Sequence, residues 1–597
     1  MPPDLPSVSS LGSRVSRHRW QLLKRVGLVL LCLAWVGLGL VGHAPWKGED
    51  ARTIVTAWEM VNTRDLLVPT LVDEPYFAYG PLVPQLAAVT MKTATPWLDP
   101  HDAARLAAGL LLLFTLGCVA LAGHELGRYS TKGNGDSIVG SVLGRFGERS
   151  NAKNAAPGSN WAQRWLPTLI LVGSVGLFER AHQLSPQLGL MAAVALGMLA
   201  LALALRRPGL AGVLLGGALT IGVFSYNLMA WLWLLLPAVL LPGLHPGWRK
   251  KTYLATLGIA LVIAMALYAL WPWGLYQRSP ELFAQWWAAQ SPSIWWDGHE
   301  IMKHLGWLGR NLPWLAFPAW PLILWMVWIR GRGFNGGFRT PPVVLSACMA
   351  IIGAVALLFV PDVRPIEAMA LLVPLALLAS TEVDTLPRGG SAGLDWFGIL
   401  TFGLTAIALW FFWWDAYING LGSYAAELFR DAEVGYQPTF RLRGASIALF
   451  LTVLWILLVR PARQSNQRAV LNWAVGMMLI WGLVATMWMP YVDSRRSYEV
   501  VAKLLKPYAA DGCVASRNVG EAQRAIFYYY AQVETLPESK PAAETCPLLL
   551  VEYSAANLPT NWRSAPPPIE GFTVLKTGSR YGDDTEMYVL YRREKAS

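Results

Sequence analysis

The sequence predicts a polytopic α-helical membrane protein that carries a small α/β domain at its C-terminal end. Apolar residues make up 54% of the 597 residues and charged residues only 15%, whereas about 25% is usual in soluble domains. Apolar runs long enough to cross a bilayer recur up to residue 489 and do not occur after it. These observations exclude a disordered chain, a coiled coil, a collagen and an ordinary soluble enzyme.

The chain begins with a basic leader, residues 1–25, which we place in the cytoplasm. The apolar run 26–42 follows and resembles the core of a signal peptide. His43-Ala44-Pro45 is a poor cleavage site, and a protein with many spans needs no removable signal. We therefore interpret 26–42 as an uncleaved first span.

Thirteen apolar runs have about the length of a membrane span. They lie near 26–42, 105–123, 166–178, 186–205, 209–224, 227–241, 253–271, 312–328, 341–359, 366–380, 396–414, 443–459 and 470–488. A further run, 81–95, is short and contains Lys92, so it either crosses the membrane or lies on its surface.

The distribution of basic residues decides between these two topologies. If 81–95 does not cross and the N-terminus is cytoplasmic, the inside segments contain 23 Lys and Arg against 7 Asp and Glu, and the outside loops contain 13 against 18. If it crossed, the basic loops after it would face the wrong side. We predict about thirteen spans, a transmembrane domain over 26–489 and an outward C-terminal domain over 490–597. The net charge of +11 then reflects membrane orientation rather than nucleic-acid binding.

The C-terminal domain has the local patterns of a small α/β fold. Amphipathic patterns predict two helices, at 497–508 and 521–532. Runs rich in branched and aromatic residues predict strands, at 547–553, 572–576 and 587–591.

Two of the five cysteines, Cys513 and Cys546, lie in this domain. Two cysteines in one small exported domain suggest a disulfide, and two free thiols are the alternative. Cys32, Cys118 and Cys348 occur singly in apolar runs, which indicates packing. The sequence contains no CxxC motif or Cys/His cluster that would indicate a structural metal.

The first outside loop, 43–104, holds the most unusual polar residues. Glu49 and Asp50 follow the first span directly, and Arg52 comes two residues later. A carboxylate pair at a membrane boundary is costly to desolvate, so it often has a functional role. The alternative is that the pair only stabilises a helix N-terminus, where negative charge is favourable. The apolar face of that helix, predicted to press onto the bilayer, consists of Ile54, Ala57, Trp58 and Val61.

The same loop contains a series of short motifs in a fixed order. They are Glu49-Asp50-Ala51-Arg52, Arg64-Asp65-Leu66-Leu67-Val68-Pro69, Glu74-Pro75-Tyr76-Phe77 and Pro81-Leu82. Further motifs are Arg105-Leu106, Asn311-Leu312-Pro313-Trp314, Phe317-Pro318-Ala319-Trp320 and the apolar region around Pro374. Together they resemble the motifs of the lipid A aminoarabinose transferases and their relatives, the protein O-mannosyltransferases, which are GT-C membrane glycosyltransferases.

This resemblance implies a GT-C fold and an inverting glycosyltransferase that takes a sugar from a polyprenyl-phosphate carrier. The acceptor would be lipid A, another envelope glycan or a protein. The resemblance makes Glu49 and Asp50 the candidate catalytic carboxylates, in swapped order relative to the family, so both stay open as the base. No phosphate loop, dinucleotide fingerprint or Ser-His-Asp signature occurs, so we expect no nucleotide-driven chemistry and no cofactor.

The sequence departs from the family at two positions that bear on the substrate. The family's carrier-binding Lys falls on Tyr79, and a second family Asp has no counterpart in the segment 179–186. Outside residues that could replace the missing cation are therefore included among the candidates. The candidate substrate and phosphate ligands are Arg52, Tyr76, Tyr79, Arg105, Arg180, His182, His299, Lys303 and Arg364.

Two alternatives remain from the sequence alone. His299, Glu300 and His304 could hold a divalent metal, but their spacing is poor for one helical face, so we predict no metal. A lipid or glycan transporter, or a non-catalytic partner of a transferase, is the rival function. We expect a monomer in the bacterial inner membrane, with the C-terminal domain in the periplasm and membrane lipids around it.

Overall fold

The computed structural model describes residues 26–27, 29–129, 159–290, 298–419, 440–459, 466–554, 566–580 and 585–594, without the side chains of 159–164 and 509–511. The predicted leader, 1–25, lies outside the described residues. Helical residues of the first predicted span end at residue 37.

Helices make up most of the described chain before residue 497. Their bounds are Glu49–Thr63, Leu82–Ala94, Pro100–Gly127, Ser159–Val172, Pro186–Leu203, Pro208–Ser225, Met229–Leu244, Lys251–Arg278, Pro280–Gln290, Gly298–Leu315, Ala319–Gly331, Pro341–Leu357, Leu372–Ala379, Arg388–Ile418, Leu442–Val459, Asn466–Leu483 and Met489–Arg496. Short 3₁₀ turns cover Val175–Leu177, Arg180–His182, Pro246–Trp248, Phe334–Gly336, Glu367–Leu371 and Ser380–Thr385, and a π-turn covers Val484–Trp488.

Eight helical segments of the described chain are long and apolar enough to cross a membrane. A bent pair adds a ninth: Gly298–Leu315 and Ala319–Gly331 meet at 98°. This bend differs from the single straight span predicted over 312–328, because Pro318 lies between the two helices and has no N–H to continue the helical hydrogen bonds. The chain is thus a multi-pass membrane protein, and the count of thirteen spans stays a prediction.

The membrane helices are arranged as a buried centre and an apolar periphery. Pro186–Leu203 is buried along its whole length. Few of the apolar side chains are buried in Lys251–Arg278, Arg388–Ile418 and Leu442–Val459. Exposed apolar faces of this length are suited to lipid, which is as apolar as the side chains themselves.

Two glycines allow the helix Pro208–Ser225 to approach Lys251–Arg278 closely. A Cβ on Gly212 would lie 2.8 Å from the Cβ of Ile259, and a Cβ on Gly216 would lie 2.8 Å from that of Ile263. Residues four apart lie on one face of a helix, so this spacing forms the small-residue contact common between membrane helices.

The C-terminal domain contains a five-stranded mixed sheet and two α-helices, Glu499–Leu505 and Glu521–Ala531. Its strands are β3 (Val514–Arg517), β4 (Thr535–Pro537), β5 (Leu548–Ser554), β6 (Phe572–Gly578) and β7 (Glu586–Arg593), in the order β4-β3-β5-β7-β6. β3 pairs in parallel with β4 and β5, while β7 pairs antiparallel with β5 and β6. A two-residue hairpin, β1 (Thr70–Leu71) and β2 (Glu74–Pro75), lies in the first outside loop.

The C-terminal domain packs directly on the helix Glu49–Thr63, which we call the loop helix. Ala51 belongs to an apolar cluster of the domain, and Trp58 makes edge-to-face contacts with Tyr528 and Tyr529 at 5.8 and 5.5 Å. Trp58 therefore faces the domain rather than the bilayer, which corrects the predicted membrane-facing role. A surface helix cannot be assigned to lipid from its apolar face alone when another domain covers that face.

Cys513 and Cys546 form a disulfide that closes a loop of 33 residues. Closing a loop of this size stabilises a fold by about 2–4 kcal/mol. We expect the double variant Cys513→Ser/Cys546→Ser to unfold at a lower temperature than the wild type in detergent. Reductant should lower the wild-type midpoint to that of the variant and leave the variant unchanged. Equal midpoints for the oxidised and fully reduced wild type would contradict this prediction.

Candidate active site

The first turn of the loop helix sends two neighbouring carboxylates in different directions. Gly48 precedes the helix with φ +123°, and Glu49 and Asp50 are its first two residues. Successive helical residues are about 100° apart around the axis, so adjacent side chains face different surroundings. Both carboxylates lie in the first turn, where negative charge is favourable, but the N-cap position itself is occupied by Gly48.

Asp50 is bound within the protein interior. Its Oδ2 accepts from Nη2 of Arg105 at 2.8 Å and its Oδ1 from Nε at 3.2 Å, while the backbone N–H of Leu184 donates to Oδ1 at 2.9 Å. Burial alone would raise the pKa of Asp50, but the guanidinium beside it holds the pKa below its usual value. Arg105 also donates to the carbonyls of His43 and Ala44 at 2.8 and 2.7 Å. This pair ties the loop helix to the helix that begins at Pro100.

Glu49 faces a cavity of about 430 Å³ between the membrane helices and the C-terminal domain. Its Oε1 accepts from Nη1 of Arg52 at 2.6 Å and from Nη2 of Arg364 at 3.0 Å. Its Oε2 is buried and has no hydrogen-bond partner among the residues that the structure describes. The cavity is lined by Glu49, Arg52, Tyr76, Ala78, Tyr79, Tyr226, Asn227, Met229, Ala289, Gln290, Phe359, Val360, Pro361, Asp362, Arg364, Glu367 and Glu521.

Tyr79 lines the cavity, and the backbone next to it, at Gly80, packs closely against the backbone of residues 224–226. Gly80 donates its N–H to the carbonyl of Tyr226 at 3.0 Å, and a Cβ there would lie only 2.3 Å from the carbonyl oxygen of Phe224. The Tyr79 hydroxyl lies 3.4 Å from Oε1 of Glu49. Burial raises the pKa of both Tyr76 and Tyr79, so both phenols stay protonated and act as hydrogen-bond donors rather than bases.

Sequence reasoning missed several polar residues at or beside this cavity, among them Glu367, Gln187 and Tyr226. Glu367 is almost wholly buried and accepts from Gln187 at 2.9 Å and from the Tyr226 hydroxyl at 2.8 Å. A signal for Glu367 did exist, because it is the only acidic residue in the apolar run 366–380 and follows Arg364 by three positions. Gln187 and Tyr226 carry no charge and gave no such signal.

The structure divides the predicted substrate ligands into two groups. Arg52, Tyr76, Tyr79 and Arg364 line the cavity. The others are not among the described residues that line it: Arg105, Arg180, His182, His299 and Lys303.

Local contacts account for the residues that the structure places elsewhere. The donors of Arg105 are used by Asp50 and nearby carbonyls, and Arg180 lies on a short turn with Nη1 3.4 Å from the carbonyl of Gly176. Lys303 pairs with Glu300 at 3.2 Å on the helix Gly298–Leu315, and His299 lies in the first turn of the same helix.

The described residues contain one cluster of possible metal ligands, and it differs from the set that was considered from the sequence. Asp99, His101 and Asp102 have ligand atoms within 4.8 Å of one another. In the set considered from the sequence, Nδ1 of His304 contacts the carbonyl of Leu358 at 2.9 Å, while Nε2 lies 3.8 Å from Glu300. The i and i+5 spacing of His299 and His304 thus places no compact ligand set there.

His182 is a buried neutral histidine rather than a cavity residue. Its Nε2–H donates to the carbonyl of Trp35 at 2.6 Å, and its ring stacks on Trp481. Burial lowers the pKa of His182 to about 4, below the unfolded value of about 6.5.

Protonation of the unfolded state should therefore destabilise the fold at acidic pH. Below pH 6.5, His182 binds a proton in the unfolded chain but not in the folded one. This group therefore lowers the free energy of unfolding by about 2 kcal/mol between pH 7 and 5. We expect His182→Gln, which keeps a donor, to show a smaller drop in thermal midpoint over that range than the wild type. Equal drops would show that His182 does not contribute.

No protein-family model matches this chain, and no curated protein matches it by sequence. Solved structures do match. ArnT from Cupriavidus metallidurans, solved bound to undecaprenyl phosphate, superposes with a TM-score of 0.62 at 14% identity, over 96% of this chain and 98% of that chain. The chain has the ArnT fold. The apo structure of the same ArnT gives a TM-score of 0.60 with the same identity and coverage.

The ArnT fold confirms the fold class predicted from the sequence, a polytopic helical protein of GT-C type with a small C-terminal α/β domain. The match covers both parts of the chain. At 14% identity, the two proteins are similar in the arrangement of their helices and strands rather than in sequence. The resemblance to the aminoarabinose transferases, which was inferred from the loop motifs, is therefore confirmed at the level of the fold.

Proposed function

We propose that this chain is an inverting glycosyltransferase that uses a sugar carried on undecaprenyl phosphate or a similar polyprenyl phosphate. One observation carries the proposal: in a chain with the ArnT fold, Glu49 lines a cavity together with Arg52 and Arg364, and one of its carboxylate oxygens has no hydrogen-bond partner among the described residues. ArnT itself, a lipid A aminoarabinose transferase, was solved with undecaprenyl phosphate bound. The sugar and the acceptor of this chain are proposed by class only.

The proposed reaction is a single displacement at the anomeric carbon of the sugar. The acceptor hydroxyl oxygen forms a bond to that carbon, and the bond from the carbon to the carrier phosphate breaks. The bonding electrons leave with the phosphate, and the hydroxyl proton passes to Oε2 of Glu49. A positioned carboxylate can act as such a general base.

The two arginines of the cavity suit the charge that develops on the leaving phosphate. The phosphate gains a negative charge as the bond to the sugar breaks, and fixed cations stabilise that charge in a partly dehydrated site. Arg52 and Arg364 both contact Oε1 of Glu49, which leaves Oε2 for the proton. The phenols of Tyr76 and Tyr79 supply further donors at the same wall.

Asp50 has a structural role in this proposal. Its oxygens accept four hydrogen bonds, from Arg105, Trp46 and Leu184, and none is directed at the cavity. The glycosyl phosphate is already activated, so the reaction uses no nucleotide, metal or other cofactor. We place the site at the periplasmic face of the bacterial inner membrane, with lipid A, another envelope glycan or a protein as acceptor and a monomer as the working form.

The experiment that tests the proposal compares envelope lipids and glycans by mass spectrometry. A deletion strain is compared with the same strain complemented by the wild-type chain. We expect a sugar-sized mass to disappear on deletion and to return on complementation. If no glycan changes on deletion, the proposal fails, and the transporter or the non-catalytic partner becomes the better function.

A further inference from the structure

Glu367 is a buried carboxylate that the proposed reaction does not use. It begins the 3₁₀ turn Glu367–Leu371 and has 2% of its surface exposed. Its Oε1 accepts from Nε2 of Gln187 at 2.9 Å and from Nη2 of Arg364 at 3.1 Å, and its Oε2 accepts from Tyr226 at 2.8 Å. A buried charge with three donors is expensive to leave unpaired, so these contacts are under strong constraint.

Arg364 is held between two carboxylates by one of its nitrogens. Its Nη2 lies 3.0 Å from Oε1 of Glu49 and 3.1 Å from Oε1 of Glu367. Within the described part of the chain, no hydrogen bond uses Nη1 of Arg364. The guanidinium is thereby fixed at the cavity wall with a donor group left for an anionic ligand.

Another acidic residue beside Arg364 also lines the cavity but is open to solvent. Asp362 is exposed and has a carboxylate oxygen 3.6 Å from Nε of Arg364. Glu367, in contrast, cannot move easily, because it is hydrogen-bonded by Gln187 on the helix Pro186–Leu203 and by Tyr226 directly after the helix Pro208–Ser225. The buried carboxylate therefore decides where the guanidinium of Arg364 stays.

We propose that Glu367 is a positioning residue of the phosphate site, which acts by holding Arg364 toward the cavity. Its contribution is selectivity for a lipid with a phosphate headgroup over the same lipid with a neutral one. This inference rests on the proposed function, since it assigns the phosphate to Arg364.

The test measures lipid binding rather than sugar transfer. Purified full-length protein in detergent is titrated with undecaprenyl phosphate and, separately, with undecaprenol, which lacks the phosphate. We expect Glu367→Gln to weaken binding of undecaprenyl phosphate by about tenfold or more, because a desolvated charge contact is lost. Binding of undecaprenol should not change.

A double-mutant cycle separates action through Arg364 from a general structural effect. If Glu367 acts through Arg364, Arg364→Gln/Glu367→Gln binds undecaprenyl phosphate no more weakly than Arg364→Gln alone. Additive losses would overturn the inference, as would an equal loss for both lipids. Glu382→Gln is the matched control, because Glu382 is equally buried and pairs with Arg330 at 2.6 Å but does not line the cavity.

The outcomes also distinguish this inference from the proposed function. If the wild type does not prefer undecaprenyl phosphate over undecaprenol, the assignment of the phosphate site fails. If the wild type shows that preference and Glu367→Gln keeps it, only the role of Glu367 fails. If Glu382→Gln weakens undecaprenyl phosphate binding as much as Glu367→Gln does, the effect is one of stability and the inference is wrong.

Discussion

Sugar transfer should fall by about 10²- to 10⁴-fold in the Glu49→Gln variant, because an amide cannot accept the proton that the base removes. The amide has nearly the shape of the carboxylate, so the cavity wall keeps its form. The measurement is the amount of sugar-modified product in a deletion strain complemented with this variant, determined by mass spectrometry. Protein levels in the membrane are compared in parallel, so that a loss of expression is not mistaken for a loss of chemistry.

Glu300→Gln provides the matched control for this prediction. Glu300 is an exposed carboxylate that pairs with Lys303 and does not line the cavity. Its replacement should leave the product at the wild-type level. Full activity of Glu49→Gln would show that Glu49 is not the base. If Asp50→Asn is folded and inactive while Glu49→Gln is active, the two carboxylates exchange roles.

The Asp50→Asn variant should lose stability rather than chemistry, by about 3–5 kcal/mol. Removing the carboxylate charge leaves the guanidinium of Arg105 buried without its main counter-charge, and Arg105 has no exposed surface. The measurement is the thermal unfolding midpoint of the purified protein in detergent. The pKa of Asp50 is lower in the folded than in the unfolded protein. Its stabilisation is therefore present at neutral pH and is lost as the pH falls from the unfolded pKa through the lower folded pKa.

An exposed ion pair offers the control for this second prediction. Arg278 lies 3.8 Å from Asp65 and is mostly exposed, so Arg278→Gln should change stability by less than about 1 kcal/mol. The double variant Asp50→Asn/Arg105→Gln should cost less than the sum of the single changes, because both remove the same contact. A stable but inactive Asp50→Asn would contradict the structural role and favour Asp50 as the base.

The secondary structure of the C-terminal domain was predicted where the pattern was long. The predicted strands at 547–553, 572–576 and 587–591 correspond to β5, β6 and β7, and the predicted helix at 521–532 corresponds to Glu521–Ala531. β3 and β4 were missed, because they have only four and three residues. Their strand conformation depends on pairing with each other and with β5, which no local pattern records.

The loop helix shows where an amphipathic pattern is ambiguous. The apolar positions predicted a helix correctly, and Ile54 and Ala57 do pack into the core of the membrane domain. Trp58 instead contacts aromatic residues that lie more than 400 positions later in the chain. Lipid and a covering domain bury the same apolar side chains, so only the tertiary structure can distinguish them.

Three features could be predicted from the amino-acid sequence: the membrane class, the small C-terminal domain and the loop that holds the carboxylates and Arg52. Hydropathy, charge and motif order are local or summed properties, so a single chain records them. The folded structure was needed to show that Asp50 pairs with Arg105 while Glu49 lines the cavity, since this depends on the direction of each side chain within one helical turn. It also brought Arg364 to Glu49, a partner 315 positions away, because buried charges are paired by packing and not by sequence distance.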